Sequence, residues 1–433
     1  MTAPASAFQG ADIPSYDFLV NCMHCGLCLP HCPTYALTNR EVSSPRGRIR
    51  LMKSVAEGTL PISQGFVDEM NFCLDCQACE TACPAGVNYG ALVESARAQI
   101  FQHKHEGILS NFIKKITLNW MFRKPNRLKA LAILLKLYAD FGFRWFFEQT
   151  RLLKIISGRL HNIQGLIPII SERSTAELYP EIVAPVGEKR FSVGLLSGCI
   201  MDLAYSDVNA DTIELLRHHG CEVIIPRTQV CCGSLQGHNG DKETARHLAR
   251  KNINTFAQYK LDVIIMNSAG CGAFMKEYTH LLANEPEYFD KARELSSKVK
   301  DITEFILKIG FIPRGRAFQG QRITYHDACH LVHSQKISRE PRELIKAANG
   351  IEYIELPESS WCCGSAGIYN FTHYDDSMKL LRRKLQHIKS KQPDVIVTGN
   401  PGCMAQLAYG LKEDGLPIEL LHTATFLRRA CEA

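Results

Sequence analysis

No stretch of the 433 residues reaches the 18 or so continuous apolar positions of a membrane-spanning helix. The opening Met-Thr-Ala-Pro-Ala-Ser lacks the basic and apolar regions of a signal peptide, so a cytoplasmic protein is expected. Neither Gly-x-Gly-x-x-Gly at the start of a β/α unit, nor a Walker A loop, nor a Gly-x-Ser-x-Gly elbow occurs. No flavin or nicotinamide site is therefore expected on this chain, which would not oxidise an organic substrate unaided, and no catalytic residue is assigned. Charge of one sign is not in large excess: the net +6 is mild for this length and predicts no nucleic-acid partner. Composition is otherwise ordinary, with 45% hydrophobic and 22% charged residues. Cysteine is the exception, at 18 residues, and it falls in spaced sets. In a reducing compartment such sets mean metal more often than disulfides.

Two copies of one run stand near the N-terminus: Cys22-Met-His-Cys25-Gly-Leu-Cys28-Leu-Pro-His-Cys32-Pro33 and Cys73-Leu-Asp-Cys76-Gln-Ala-Cys79-Glu-Thr-Ala-Cys83-Pro84. Each reads C-x2-C-x2-C-x3-C-P, the run that holds bacterial-type [4Fe–4S] clusters, in preference to zinc or disulfides. Three close thiolates cap three corners of a cube, and in two-cluster proteins the fourth serves the other cluster. Carried onto this chain, Cys22, Cys25 and Cys28 pair with Cys83, and Cys73, Cys76 and Cys79 pair with Cys32. Between the runs, Ser43-Ser44-Pro45 followed by Arg-Gly-Arg-Ile-Arg-Leu-Met-Lys predicts a capped helix start, so the sites are expected between helices. Arg46, Arg48 and Arg50 either offset cluster charge or form a solvated helix face. Asp17–Val20 is expected to pack against the first site.

The region from 91 to 170 reads as mostly helical. Between 110 and 160, eleven Lys and Arg stand against Asp140 and Glu148, interleaved with apolar residues. Such a stretch suits a helix lying on an anionic membrane surface, or a helical linker whose apolar face packs on the protein. Residues 171–188 read as a linker.

From Phe191 the pattern becomes β/α alternation, and it occurs twice. Strands at 190–197, 222–225 and 262–266 lead to Cys199, Cys231-Cys232-Gly233 and Cys271. Strands at 321–325, 351–356 and 394–398 lead to Cys329, Cys362-Cys363-Gly364 and Cys403. Thirty-one residues separate Cys199 from Cys231, and thirty-two separate Cys329 from Cys362. Likewise thirty-eight separate Cys232 from Cys271, and thirty-nine separate Cys363 from Cys403. Duplicated α/β units are implied, with cysteines just past strand ends where such sheets place ligands. Each set offers four thiols for a further iron–sulfur cluster or a zinc ion. His326, His330 and His333 read as structural hydrogen-bonding residues, with proton transfer or ligation the alternative. Cys221 reads as a core residue and Cys431 as a tail thiol.

Two ferredoxin-type runs followed by two Cys-Cys-Gly repeats resemble the iron–sulfur subunit of glycolate oxidase, also called glycolate dehydrogenase. The resemblance rests on Ser44–Ile49, Cys73–Pro84, Ser268–Tyr278 and Cys362–Tyr369, and covers nearly the whole chain. It implies an α + α/β chain: a helical two-cluster ferredoxin domain at 1–105, a basic helical region and linker at 106–188, and Cys-Cys-Gly repeats at 189–318 and 319–433. It further implies FAD on separate dehydrogenase subunits that oxidise glycolate to glyoxylate, with electrons passed toward quinone. The complex would be peripheral on the cytoplasmic face of the inner membrane, which brings membrane contact through 110–160 level with the linker reading that the residues alone favour. The iron–sulfur subunits of D-lactate and glycerol-3-phosphate dehydrogenases are the alternatives. A heterodisulfide-reductase-like enzyme fits less well, because Phe274 and Gln406 stand where its repeats carry a fifth cysteine.

Overall fold

The computed structural model describes residues 6–103, 120–150 and 152–432. Lys114, Lys115 and Arg151 of the basic stretch lie outside the described residues. The chain forms two compact units, one of residues 1–120, 233–247 and 361–380, the other of residues 121–232, 248–360 and 381–433.

The first unit is helical. Its opening part holds α1 (Tyr16–Val20), α2 (Pro33–Thr38), α3 (Pro45–Ala56), α4 (Gln64–Phe72), α5 (Ala78–Thr81) and α6 (Tyr89–Gln102). Polar caps start three of them. Ser44 accepts from the Gly47 amide with Pro45 in the first turn, as expected, while Ser63 and Asn88 cap α4 and α6. The apolar positions of α3, Ile49, Met52 and Val55, recur every three residues and meet Leu19, Met70, Leu92 and Val93 in one core. Cys22, Cys28, Cys73 and Cys83 pack against that core, so burial of apolar side chains, each worth roughly 1.5–3 kcal/mol, stiffens the cysteine loops.

The second unit carries two sheets. Strands β1 (Ile182–Val183), β2 (Phe191–Leu195), β3 (Cys221–Ile224), β4 (Val263–Met266) and β5 (Val299–Asp301) run in the order β1-β3-β2-β4-β5. Strands β6 (Arg322–Tyr325), β7 (Glu352–Ile354), β8 (Val395–Thr398) and β9 (Glu419–His422) run in the order β7-β6-β8-β9. All pairings are parallel except that of β1 with β3. With β1 set aside, both sheets place their strands second-first-third-fourth, which is the duplication in three dimensions. Their inner faces share one core, from Val193, Val223 and Ile265 to Ile323, Val395 and Phe426. In each sheet the first strand has the second on one side and the third on the other. The loops after the first and third strands therefore diverge, opening a crevice at the strand ends.

Three details depart from the sequence reading. The 171–188 stretch is more than a linker, because Ile182 and Val183 pair antiparallel with β3. Each sheet has a fourth strand, β5 or β9, that the pattern did not reveal. Cys431 closes the helix Thr423–Cys431 and packs against the core, so it is no loose tail, while Cys221 is fully buried as expected.

Candidate metal centres

The two N-terminal cysteine loops repeat one backbone shape. His24 and Asp75 have φ of 56° and 54°, and Gly26 and Gln77 follow at 87° and 59°. These left-handed turns reverse the backbone between successive cysteines. Cys22, Cys25 and Cys28 line a cavity with Cys83, walled by Ile49 and Val87. Cys79 of the second run lines the same cavity, so thiols of both runs meet there.

Around the second run, burial raises the Cys79 pKa, and the neighbouring sulfurs of Cys76, Cys73 and Cys32 add to the rise. Cys28 is likewise pushed up to about 11, first by burial, with Cys32 and Cys22 contributing. Gathered thiols resist ionising beside one another, and a bound cationic centre removes that penalty. Donor sets made only of sulfur suit iron–sulfur clusters or zinc, so the residues present fit such a group.

Of the three arginines on α3, each has a different fate. Arg50 is exposed, so the solvated-face reading holds for it. Arg46 pairs with Glu41 at 2.6 Å and donates to the His24 carbonyl at 2.8 Å, bracing the first loop. Arg48 is fully buried, donating to the Glu69 carbonyl at 2.7 Å and to Thr34 Oγ1 at 3.0 Å. Burial alone would lower its pKa. The surrounding Tyr89, Cys73, Cys32 and Glu69 outweigh that and hold the guanidinium charged.

Sequence reasoning missed the polar residues around the second loop. Tyr89 Oη lies 3.5 Å from Cys73 Sγ, and the Asp75 amide lies 3.3 Å from the same sulfur. Arg97 donates to the carbonyls of Met70 and Cys73, and to that of His238 at 2.9 Å. His238 Nδ1 in turn lies 2.6 Å from Glu94 and 3.3 Å from Asp75. The 361–380 segment of this unit contributes Tyr369, close enough to both Cys362 and Cys73 that charge on either sulfur raises its pKa, after the larger effect of burial.

In the second unit the first repeat brings Cys199, Cys231, Cys232 and Cys271 together past β2, β3 and β4. Cys231 Sγ lies 3.4 Å from Cys199 Sγ. Cys232 interacts with both Cys231 and Cys271, and these contacts raise its pKa ahead of burial. Asn252 holds the turn by donating to the Cys231 carbonyl at 3.1 Å and accepting from the Val230 amide at 3.0 Å. The Tyr278 hydroxyl donates to the Cys232 carbonyl at 2.6 Å. Phe274 and Tyr278 pack edge to face beside them, at 6.0 Å.

The second repeat divides between the units. Cys362 and Cys363 belong to the first, where Gly364 has φ of +94° and a Cβ there would come 2.6 Å from the Ser377 carbonyl. Only glycine suits that turn. Cys329, Cys403 and His326 belong to the second. There a ring nitrogen of buried His326 lies within 4.8 Å of Cys403 Sγ. Asp327 is held by Arg342 through two bonds of 2.8 and 2.6 Å. His333 Nε2 lies 3.4 Å from the Ser360 carbonyl, a structural contact.

The basic stretch is helical from Pro125 to Asp140 and again from Phe143 to Thr150. Leu128 and Ala132 point inward, whereas Ala130, Ile133, Leu134, Leu137 and Phe141 are exposed. Those five positions follow the three-and-four spacing of one helix face. Lys129 and Lys136 fall along one edge of the stripe, and exposed Phe143 and Trp145 extend the apolar surface. Among the described residues, no helix is long and apolar enough to cross a membrane.

Comparison with known proteins matches residues 19–87 to the 4Fe-4S dicluster domain family. Residues 193–276 and 323–408 each match the Cysteine-rich domain family. Residues 110–167 match the linker region of the glycolate oxidase iron-sulfur subunit. The chain is 37% identical over 416 residues to a probable glycolate oxidase iron-sulfur subunit of Bacillus subtilis, covering 95% of this chain and 94% of that one. It is 32% identical to the glycolate oxidase iron-sulfur subunit of Escherichia coli, over 89% of each chain. Lactate utilization protein A of Oceanobacillus iheyensis is 28% identical over 54% of this chain and 96% of its own length.

Proposed function

Because the chain belongs to the glycolate oxidase iron–sulfur subunit family, we propose that it is the electron-relaying subunit of a flavin-dependent complex oxidising glycolate to glyoxylate. FAD resides on a partner dehydrogenase subunit, and quinone is the acceptor. The carrying observation is the gathering of the eight N-terminal cysteines: Cys22, Cys25, Cys28, Cys79 and Cys83 line one cavity, and Cys32, Cys73 and Cys76 stand beside Cys79. The crosswise sets, Cys22, Cys25 and Cys28 with Cys83, and Cys73, Cys76 and Cys79 with Cys32, are our reading of that gathering. We assign these as the ligands of two [4Fe–4S] clusters, which when bound supply reversible one-electron transfer. The protein's own part is to hold the thiolates in place, to balance their charge with Arg48, and to shield the second set from water.

Cys199, Cys231, Cys232 and Cys271 are proposed to hold a third metal centre, iron–sulfur or zinc. Cys329, Cys362, Cys363 and Cys403 are their counterparts in the second repeat. The exposed stripe of Ile133, Leu134, Leu137 and Phe141 supports peripheral contact with the cytoplasmic face of a membrane, where apolar side chains enter the headgroup boundary and lysines meet anionic lipid. Glycolate is favoured over D-lactate because the glycolate oxidase relatives span nine-tenths of the chain or nearly so, and the lactate relative only 54%.

The test is anaerobic purification of the native complex, with iron, sulfide and flavin analysis and EPR during addition of glycolate, D-lactate or glycerol 3-phosphate. Two reducible clusters that respond to glycolate are expected, and each is lost when Cys25 or Cys76 becomes Ser. A preparation without iron and sulfide would sink the proposal.

A further inference from the structure

One buried side chain reaches thiols of both N-terminal runs. Tyr89 opens α6, capped by Asn88, whose side-chain oxygen accepts from the Ala91 amide at 3.2 Å. It forms part of the wall of the cavity that Cys22, Cys25 and Cys28 line. Its hydroxyl donates to Cys73 Sγ at 3.5 Å. The start of the helix is clamped where it stands. The Gly90 amide donates to Glu80 of the second run at 2.6 Å, and a Cβ on Gly90 would sit 2.6 Å from the Gln77 side chain. Residues 233–247 cover the helix further along. There His238 meets Asp75, and Gly240 comes so close to α6 that a Cβ would sit 2.3 Å from the Arg97 carbonyl.

The first run has no equivalent donor. Its following helix, α3, also starts after a capping residue, and Pro45 holds the place after Ser44 that Tyr89 holds after Asn88. Pro45 lines the same cavity but carries neither a hydroxyl nor an amide proton. Cys22 Sγ, the counterpart of Cys73 Sγ in the first run, accepts no hydrogen bond among the described residues. A buried phenol needs an acceptor. A thiolate is a stronger acceptor than a thiol, so the bond tightens when Cys73 ligates a cluster, and again when that cluster gains an electron. A contact that favours the more negative state raises the reduction potential.

We propose that the Tyr89 hydroxyl, acting through Cys73, raises the reduction potential of the second cluster above the value its cysteines alone would give, while the first cluster receives no such increment. Tyr89 is then a positioning residue for the relay: it biases an electron shared between the two sites toward the second. This rests on the two-cluster reading above.

The experiment is an anaerobic EPR redox titration of the full chain, the second cluster being the signal lost in Cys76→Ser. Tyr89→Phe keeps the ring and removes the hydroxyl. At a fixed potential its second cluster should show a reduced-to-oxidised ratio roughly three- to tenfold lower, the worth of one hydrogen bond, or about 28 to 59 mV for one electron. The first cluster's ratio and the iron and sulfide content should stay as in wild type. Ile100→Val, which trims the same helix without removing a hydrogen bond, should move neither ratio. If Tyr89→Phe does not retain iron, 3-fluorotyrosine incorporated into the wild-type chain decides. This stronger donor of nearly the same shape should raise the second cluster's ratio alone. An unchanged second-cluster ratio overturns the inference, and so does an equal change in both clusters, which marks a general loosening. Wild-type protein without iron and sulfide overturns the two-cluster reading as well. Two reducible clusters that ignore the substitution overturn this inference alone.

Discussion

The Arg48 guanidinium donates to the Thr34 hydroxyl at 3.0 Å, and that hydroxyl is itself 3.3 Å from the Cys32 sulfur. A fixed positive charge is thereby held one hydroxyl away from a cysteine sulfur. A unit charge several ångströms away at an effective dielectric near 20 is worth about 3 kcal/mol. For one electron that is on the order of 100 mV. Arg48→Gln is expected to lower the potential of one cluster by that order, measured by EPR redox titration. Glu69, left with less to pair with, should also make the variant less stable by about 3 kcal/mol.

Gly240→Ala tests the cover over the second loop. The backbone there has φ of +88°, and the added Cβ would meet the Arg97 carbonyl at 2.3 Å. Strain and clash together should cost at least about 1–3 kcal/mol. The expected signs are a lower Tm and faster proteolysis within 233–247, while Gly86→Ala, at a positive φ with open space around it, should have a milder effect.

His422 gives the second unit an acid limit. Burial lowers its pKa to about 4, against a weaker opposing effect of its bond to the Asn267 carbonyl. Its Nε2 lies 2.8 Å from that carbonyl and its Nδ1 accepts from the Ala424 amide, so the fold holds the neutral ring. With the folded pKa below the unfolded value near 6.5, the unfolded chain binds the extra proton. Stability is therefore full above about pH 6.5 and falls as the pH drops toward 4, by up to about 3 kcal/mol. Thermal unfolding at pH 5 and 7.5 should show a smaller difference for His422→Gln than for wild type.

Leu134→Glu combined with Leu137→Glu tests the exposed stripe. Both side chains already face solvent, so folding should be nearly unchanged. Flotation with vesicles containing phosphatidylglycerol should show binding reduced tenfold or more. Wild-type binding equal on neutral and anionic vesicles would argue against the role given to the lysines.

Much of this was readable from the chain because the chemistry is local. Three thiols of each N-terminal run lie within seven residues, and Ser44-Pro45 announces its helix without help from elsewhere. The repeats were visible because equal spacings survive divergence. What stayed hidden depends on distant partners. Arg46 and Arg50 share one face of α3 and Arg48 lies on the other, and only contact with Glu69 and Thr34 selects Arg48 for burial. The cover on Asp75 comes from His238, whose carbonyl meets Arg97 across 141 positions. Strands β5 and β9 were missed because Lys300 and Glu419 break short apolar runs whose pairing is set by β4 and β8.

The duplicated strand order also bears on how the protein matures. An N-terminal run can hold three sulfurs together in a chain barely folded, so metal can be captured early and guide the helices around it. Cys199, Cys231, Cys232 and Cys271 stand past three separate strands of a parallel sheet. They converge only when β2, β3 and β4 are aligned, and such long-range pairing is slow to form. If the metal centre proposed there forms, its filling would come late, and its occupancy would report that the repeat has finished folding.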